Sequence, residues 1–105
     1  MNFKTIKAHI RKNDYLFSDH ADEERTKDEL SVKDIEEAIL AGKVIAERLD
    51  DPRGESRLIS GQSKKGTIIH IVIGLRFGKP VIVTNYLPGE DEWIHGTIRK
   101  RRKYE

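Results

Sequence analysis

The 105-residue chain contains no cysteine. Disulfides, thiolate nucleophiles and cysteine-based zinc sites are therefore excluded, and the expected location is a reducing cytoplasm. No apolar run approaches the roughly 20 residues that span a bilayer. The longest, residues 68–75, is already interrupted by His70. No membrane partner is expected. The first twelve residues lack the apolar core of a signal peptide. They are basic and poor in acid, as a transit peptide would be, but they read as a native first helix. Internal repeats, low-complexity segments and linkers are also absent. No histidine pair has the spacing of a helical metal motif, so neither a metal nor another cofactor is expected.

Charge is abundant: 36% of the residues are Asp, Glu, Lys or Arg, although the net charge is only +2. Its distribution is uneven. Residues 1–14 carry four bases against one acid, and residues 19–37 carry nine acids against three bases. Near the end Arg99, Lys100, Arg101, Arg102 and Lys103 stand in a row. Basic termini around an acidic stretch suggest an anionic partner such as RNA. The alternative is that residues 99–105 form a solvated, flexible tail.

The length suits one domain, residues 1–105. Phe3, Ile6 and Ile10 recur at helical spacing and predict an amphipathic helix over residues 2–12. Residues 19–29 are polar almost all round and predict a short helix, with residues 15–17 before it of undecided type. The third helix is the best marked. Ser31 is an N-cap with Asp34 three residues on, Val32, Ile35 and Ile39 make one stripe, and Gly42 stands at the end.

After Gly42 the period changes. Residues 44–49, 57–62, 67–75 and 80–86 are rich in Val, Ile and Thr, with turn residues between them. Short loops require antiparallel neighbours, because a parallel return needs a crossover of a dozen or more residues. The expected fold is therefore α+β, with N-terminal helices packed on a four-stranded antiparallel sheet.

His70 interrupts an apolar strand, and a buried histidine needs a hydrogen-bond partner. If Gln62 pairs with Thr67, Arg57 and His70 share a sheet face, a pairing that suits a phosphate. Tyr86 falls on the opposite face if Leu75 and Pro80 close a four-residue loop, and joins His70 if the register slips by one. His20, near a helix start, suits proton transfer or an anion, and Arg25 lies close to it in sequence. The plainer reading is a solvent-exposed capping histidine beside an ion-paired arginine.

The segments Phe17-Ser18-Asp19-His20-Ala21 with Arg25, Leu30 to Ile35, Ser56 to Gly61, the His70 strand, and Val83 to Pro88 followed by Trp93 resemble domain of unknown function 4258. These are small prokaryotic proteins similar to the RelE- and BrnT-like toxins. The resemblance implies a RelE-like α+β fold. Active toxins of that group carry a metal-independent ribonuclease site on the sheet and are held by an antitoxin protein. The residues at matching or nearby places are His20, Arg25, Arg57, His70 and Tyr86.

Two functions follow as expectations. The first is a metal-independent endoribonuclease of the toxin type. His70 or His20 would transfer protons, Tyr86 would donate a proton or stack on a base, Arg57 and Arg25 would face the phosphate, and residues 99–103 would hold RNA. The second is a non-catalytic module on the same fold. It would bind nucleic acid through its basic termini, or protein through Trp93 or the acidic stretch.

Overall fold

Three helices precede the main run of strands, as the hydrophobic periods dictate, and one short strand falls between the first two helices. The structure, a computed structural model, describes residues 1–89 and the backbone of two short strands beyond them. The elements are α1 (Phe3–Arg11), β1 (Leu16–Phe17), α2 (Asp19–Lys27), α3 (Val32–Ala41), β2 (Lys43–Arg48), β3 (Ser56–Gln62), β4 (Ile68–Arg76), β5 (Lys79–Tyr86), β6 (Trp93–Ile94) and β7 (Ile98–Arg99). Among the described residues, no helix is long and apolar enough to cross a membrane.

Local chemistry sets the helix ends. The Asn2 side chain accepts from the Thr5 amide at 2.8 Å, and the Ser18 hydroxyl from Ala21 at 3.0 Å. These bonds satisfy amides that the first helical turn leaves unpaired. The Ser31 hydroxyl accepts from the Asp34 amide at 3.0 Å, while the Asp34 carboxylate accepts from the Ser31 amide at 2.9 Å. This is the reciprocal capping box expected for α3.

The backbone amide of Ser31 holds the Asp34 carboxyl below its ordinary range, against the opposing effect of burial. The Ser31 hydroxyl and Lys65 lower it further. A depressed folded-state value means that the contribution is complete above the unfolded carboxylate range and is lost as pH falls. Ser31→Ala is expected to cost about 1 kcal/mol at neutral pH. The deficit of Asp34→Ala relative to the native chain should narrow below about pH 4. Urea melts across pH check this, and a deficit that widens in acid would refute it.

The sheet has five strands in the order β1-β5-β4-β3-β2. Neighbours from β2 to β5 are antiparallel. The expectation of a four-stranded, wholly antiparallel sheet is corrected at one edge. There Leu16 and Phe17 run parallel to β5, opposite Val81 and Ile82. The short-loop argument does not constrain this pair, because most of the chain lies between its members. The mixed five-stranded sheet also does not reproduce the RelE-like arrangement implied by the resemblance.

One face of the sheet carries Ile59, Ile69, Ile71, Ile73 and Ile82, all buried. Ile6 and Ile10 of α1, Ala21 of α2, and Ile35, Ala38 and Ile39 of α3 complete that core. Val32, expected on the α3 stripe, is instead 37% exposed. Branched residues suit these strands because their restricted side chains pack well on a pleated surface. α2 buries only Ala21, consistent with its polar sequence. The helices thus cover one face of the sheet, and the other face is where the candidate site is found.

Candidate functional site

Strand parity decides which side chains meet on the open face. In β3 and β4 the register pairs Ser60 with His70, Leu58 with Val72 and Arg57 with Ile73. Gln62 pairs with Ile68, not with Thr67. The connection is one residue longer than expected because Ser63 and Thr67 close the turn themselves. The Ser63 amide donates to the Thr67 carbonyl at 2.9 Å, and the Thr67 amide to the Ser63 hydroxyl at 3.3 Å. A slip of one residue flips every side chain. Arg57 therefore lies on the helix-side face with Ile73, and His70 on the other. The shared Arg57–His70 phosphate position is corrected accordingly. The Arg57 guanidinium lies 3.5 Å from the Glu55 carboxylate, with a side chain only 10% exposed.

Tyr86 does stand opposite His70. The hairpin turn alone would not place it there, since Leu75 pairs with Pro80 and Arg76 with Lys79. The change comes from a β-bulge. Ile73 pairs with Ile82 but Val72 with Thr84, which leaves Val83 as the extra residue. The bulge is held from the helix layer. The Ser18 amide donates to the Ile82 carbonyl at 3.0 Å, and the Ser18 hydroxyl to the Val83 carbonyl at 2.8 Å. Ser18 thus caps α2 and braces the bulge that turns Tyr86 toward His70. No role for Ser18 in the bulge follows from local sequence. Serine in an N-cap position was the available signal, but its long-range bond was not visible.

Ser60, His70 and Tyr86 form one cross-strand row on β3, β4 and β5. The His70 Nδ1 atom is 3.3 Å from the Tyr86 hydroxyl, and the rings meet edge to face at 5.2 Å. His70 is fully buried, whereas Tyr86 is partly exposed. Tyr86 borders a groove of about 780 Å³ that runs along the open face away from His70. Leu58, Val72, Gly74 and Val81 lie along the groove. Arg48, Arg53, Arg57 and Arg76 border it farther along, interleaved with the carboxylates of Glu47, Asp51 and Glu55. Arg53 is paired with Asp51, and the side chain of Arg53, then its backbone amide, keep the Asp51 carboxyl below its ordinary value. Among the described residues, Arg48 and Arg76 have no ion pair within salt-bridge distance.

The remaining expected site residues lie elsewhere. His20 is exposed on the first turn of α2, in the helix layer, and not beside His70. Arg25 donates to the Leu30 carbonyl at 3.1 Å and pairs with Asp22 at 2.6 Å. Its guanidinium also lies 5.9 Å from the centre of the Phe17 ring. These contacts tie the end of α2 to the start of α3 and give Arg25 a structural part. Arg99 belongs to β7, whereas Lys100, Arg101, Arg102 and Lys103 lie outside the described residues. Among the described residues, no three His, Asp or Glu side chains converge as metal ligands would.

A family model described as domain of unknown function DUF4258 matches residues 17–86, more than half of the chain. No curated protein and no solved structure matches the chain. The matched span runs from Phe17, beside the bulge-bracing Ser18, to Tyr86 in the groove. The chain belongs to the family of domain of unknown function DUF4258.

Proposed function

We propose that this domain binds single-stranded nucleic acid, RNA in the first instance, along the open face of its sheet. The observation that carries the reading is the layout of the groove. Tyr86 stands at one end, on the level of His70, and Arg48 stands on the level of Gly74 through its pairing with Ser56. Four strand residues separate the two levels, a distance of about 13 Å. General acid–base catalysis needs its groups within hydrogen-bond reach of one reacting centre. A separation of this size instead suits successive parts of a strand, with a base stacked on Tyr86 and phosphates near Arg48 and Arg76. A cysteine-free chain is compatible with the reducing cytoplasm where RNA partners are found.

A second reading, the metal-independent ribonuclease of the toxin type, draws on the His70–Tyr86 contact. A histidine behind a tyrosine could accept the proton that the hydroxyl takes from a ribose. In that reading the RelE- and BrnT-like resemblance extends to chemistry, and an antitoxin protein is the natural partner. Arg25 and His20 lie in the helix layer, and Arg57, although it lines the groove, has opposite parity to His70 and is engaged by Glu55, which weakens this reading.

One experiment separates the two. Binding and integrity of a short single-stranded RNA are measured in excess chelator for the native chain, Arg48→Glu/Arg76→Glu, Tyr86→Phe and His70→Ala. Binding without cleavage is expected. The double arginine variant should weaken binding and flatten the salt dependence by about 0.7 in log–log slope per lost phosphate contact. An unchanged slope would count against the groove. Cleavage by the native chain that Tyr86→Phe abolishes would favour the toxin reading. Deleting residues 99–105 tests the basic tail in the same assay.

A further inference from the structure

The hairpin between β4 and β5 turns on two residues, Phe77 and Gly78, between the paired Arg76 and Lys79. Both have positive φ, +53° and +74°. Two-residue hairpins of this kind favour Asn-Gly, because asparagine tolerates the left-handed region and an aromatic side chain does so poorly. Phe77 is nevertheless at the strained position, and it is 88% exposed. It contributes nothing to the core, so folding gains no apolar burial to offset the strain. An unfavourable backbone state at an exposed aromatic points to a use outside the fold.

Its surroundings indicate what kind. The preceding residues, Leu75 and Arg76, border the groove that has Tyr86 at its other end. Arg76 is exposed and unpaired among the described residues, whereas Lys79 is held by Asp14 at 2.8 Å. The tip therefore offers an exposed ring beside an available guanidinium at the end of a groove in which Arg53 and Arg57 are already paired with Asp51 and Glu55.

We propose that Phe77 is a base-stacking platform that extends the groove and receives an unpaired base while Arg76 meets the neighbouring phosphate. The assignment rests on the nucleic-acid reading above and deepens it. Stacking on aromatic rings is tolerant of sequence, because every base has a flat face. The tip should therefore add affinity without marked base preference.

The test uses Phe77→Asn, which gives the turn the residue its geometry favours. Thermal unfolding should move up by a few degrees. Affinity for a short uridine oligoribonucleotide should fall about five- to a hundred-fold, the range of one lost stacked base. Phe77→Trp should keep native affinity. On an abasic strand of equal length, native and Phe77→Asn chains should bind alike. If Phe77→Asn binds the oligoribonucleotide as tightly as the native chain while Arg48→Glu/Arg76→Glu does not, the stacking assignment falls and the groove stands. If the native chain binds no oligoribonucleotide, the nucleic-acid reading falls and takes the platform with it. Loss of binding to phosphatidylserine vesicles in Phe77→Asn, with RNA affinity unchanged, would assign the tip to lipid and overturn the proposal.

Discussion

Gly61→Ala is expected to lose about 3 kcal/mol or more of folding stability, the upper end for forcing an atom into a packed core. A Cβ added at Gly61 would lie 1.7 Å from the Ala38 carbonyl oxygen and 2.9 Å from the Gly42 Cα. Both are backbone atoms, so no flexible side-chain end can move aside. The bare position lets α3 lie directly on β3, and Gly42 shares the contact at the point where the chain leaves the helix. Because small domains are stable by only about 5–15 kcal/mol, this one methyl should shift the urea midpoint markedly. Gly74→Ala is the control. Its Cβ would meet the Val83 and Val81 side chains at 3.2 and 3.5 Å, on the open face where they have room to turn. The change there should stay within about 1 kcal/mol. Equal midpoints for the two variants would mean that α3 does not approach β3 this closely.

Ile71→Ala should cost about 2–5 kcal/mol. Ile71 is fully buried at the centre of β4, between Ile59 and Asn85 on the helix-covered face. Truncation removes apolar contacts and leaves a cavity that rigid strands cannot close. Ile71→Val should cost about 0.5–1.5 kcal/mol. Val83→Ala, on the 41% exposed bulge residue, should change stability little. The ordering Ile71→Ala, Ile71→Val, Val83→Ala in urea melts is the measurement. A loss at Val83 matching that at Ile71 would mean that the two faces have been interchanged. That outcome would also remove the groove, since the groove requires Val72, Gly74 and Tyr86 to point away from the helices.

Much of the architecture follows from residue types within a few positions of one another. Ser31 and Asp34 mark the start of α3, Gly42 its end, and the change to alternating Val, Ile and Thr marks the strands. Helix caps and strand periods are local, so a sequence carries them openly. Phe77-Gly78 likewise marks a tight turn, although not the strain that phenylalanine brings there. Parity was not legible in the same way. It depends on single residues in the connections: the Ser63–Thr67 closure that lengthens one turn, and the Val83 bulge that shifts half of β5. The first separated Arg57 from His70, and the second brought Tyr86 to it. The bulge is held by Ser18, distant in sequence, and β1 finds its parallel partner across most of the chain. Sequence alone therefore determined the three helices and the four long strands, but not β1, β6 or β7, and most of the residues that bury themselves, with Val32 an exception. Tertiary structure decided which of the remaining polar side chains share a face, because that choice rests on one-residue register and on hydrogen bonds between remote parts of the chain.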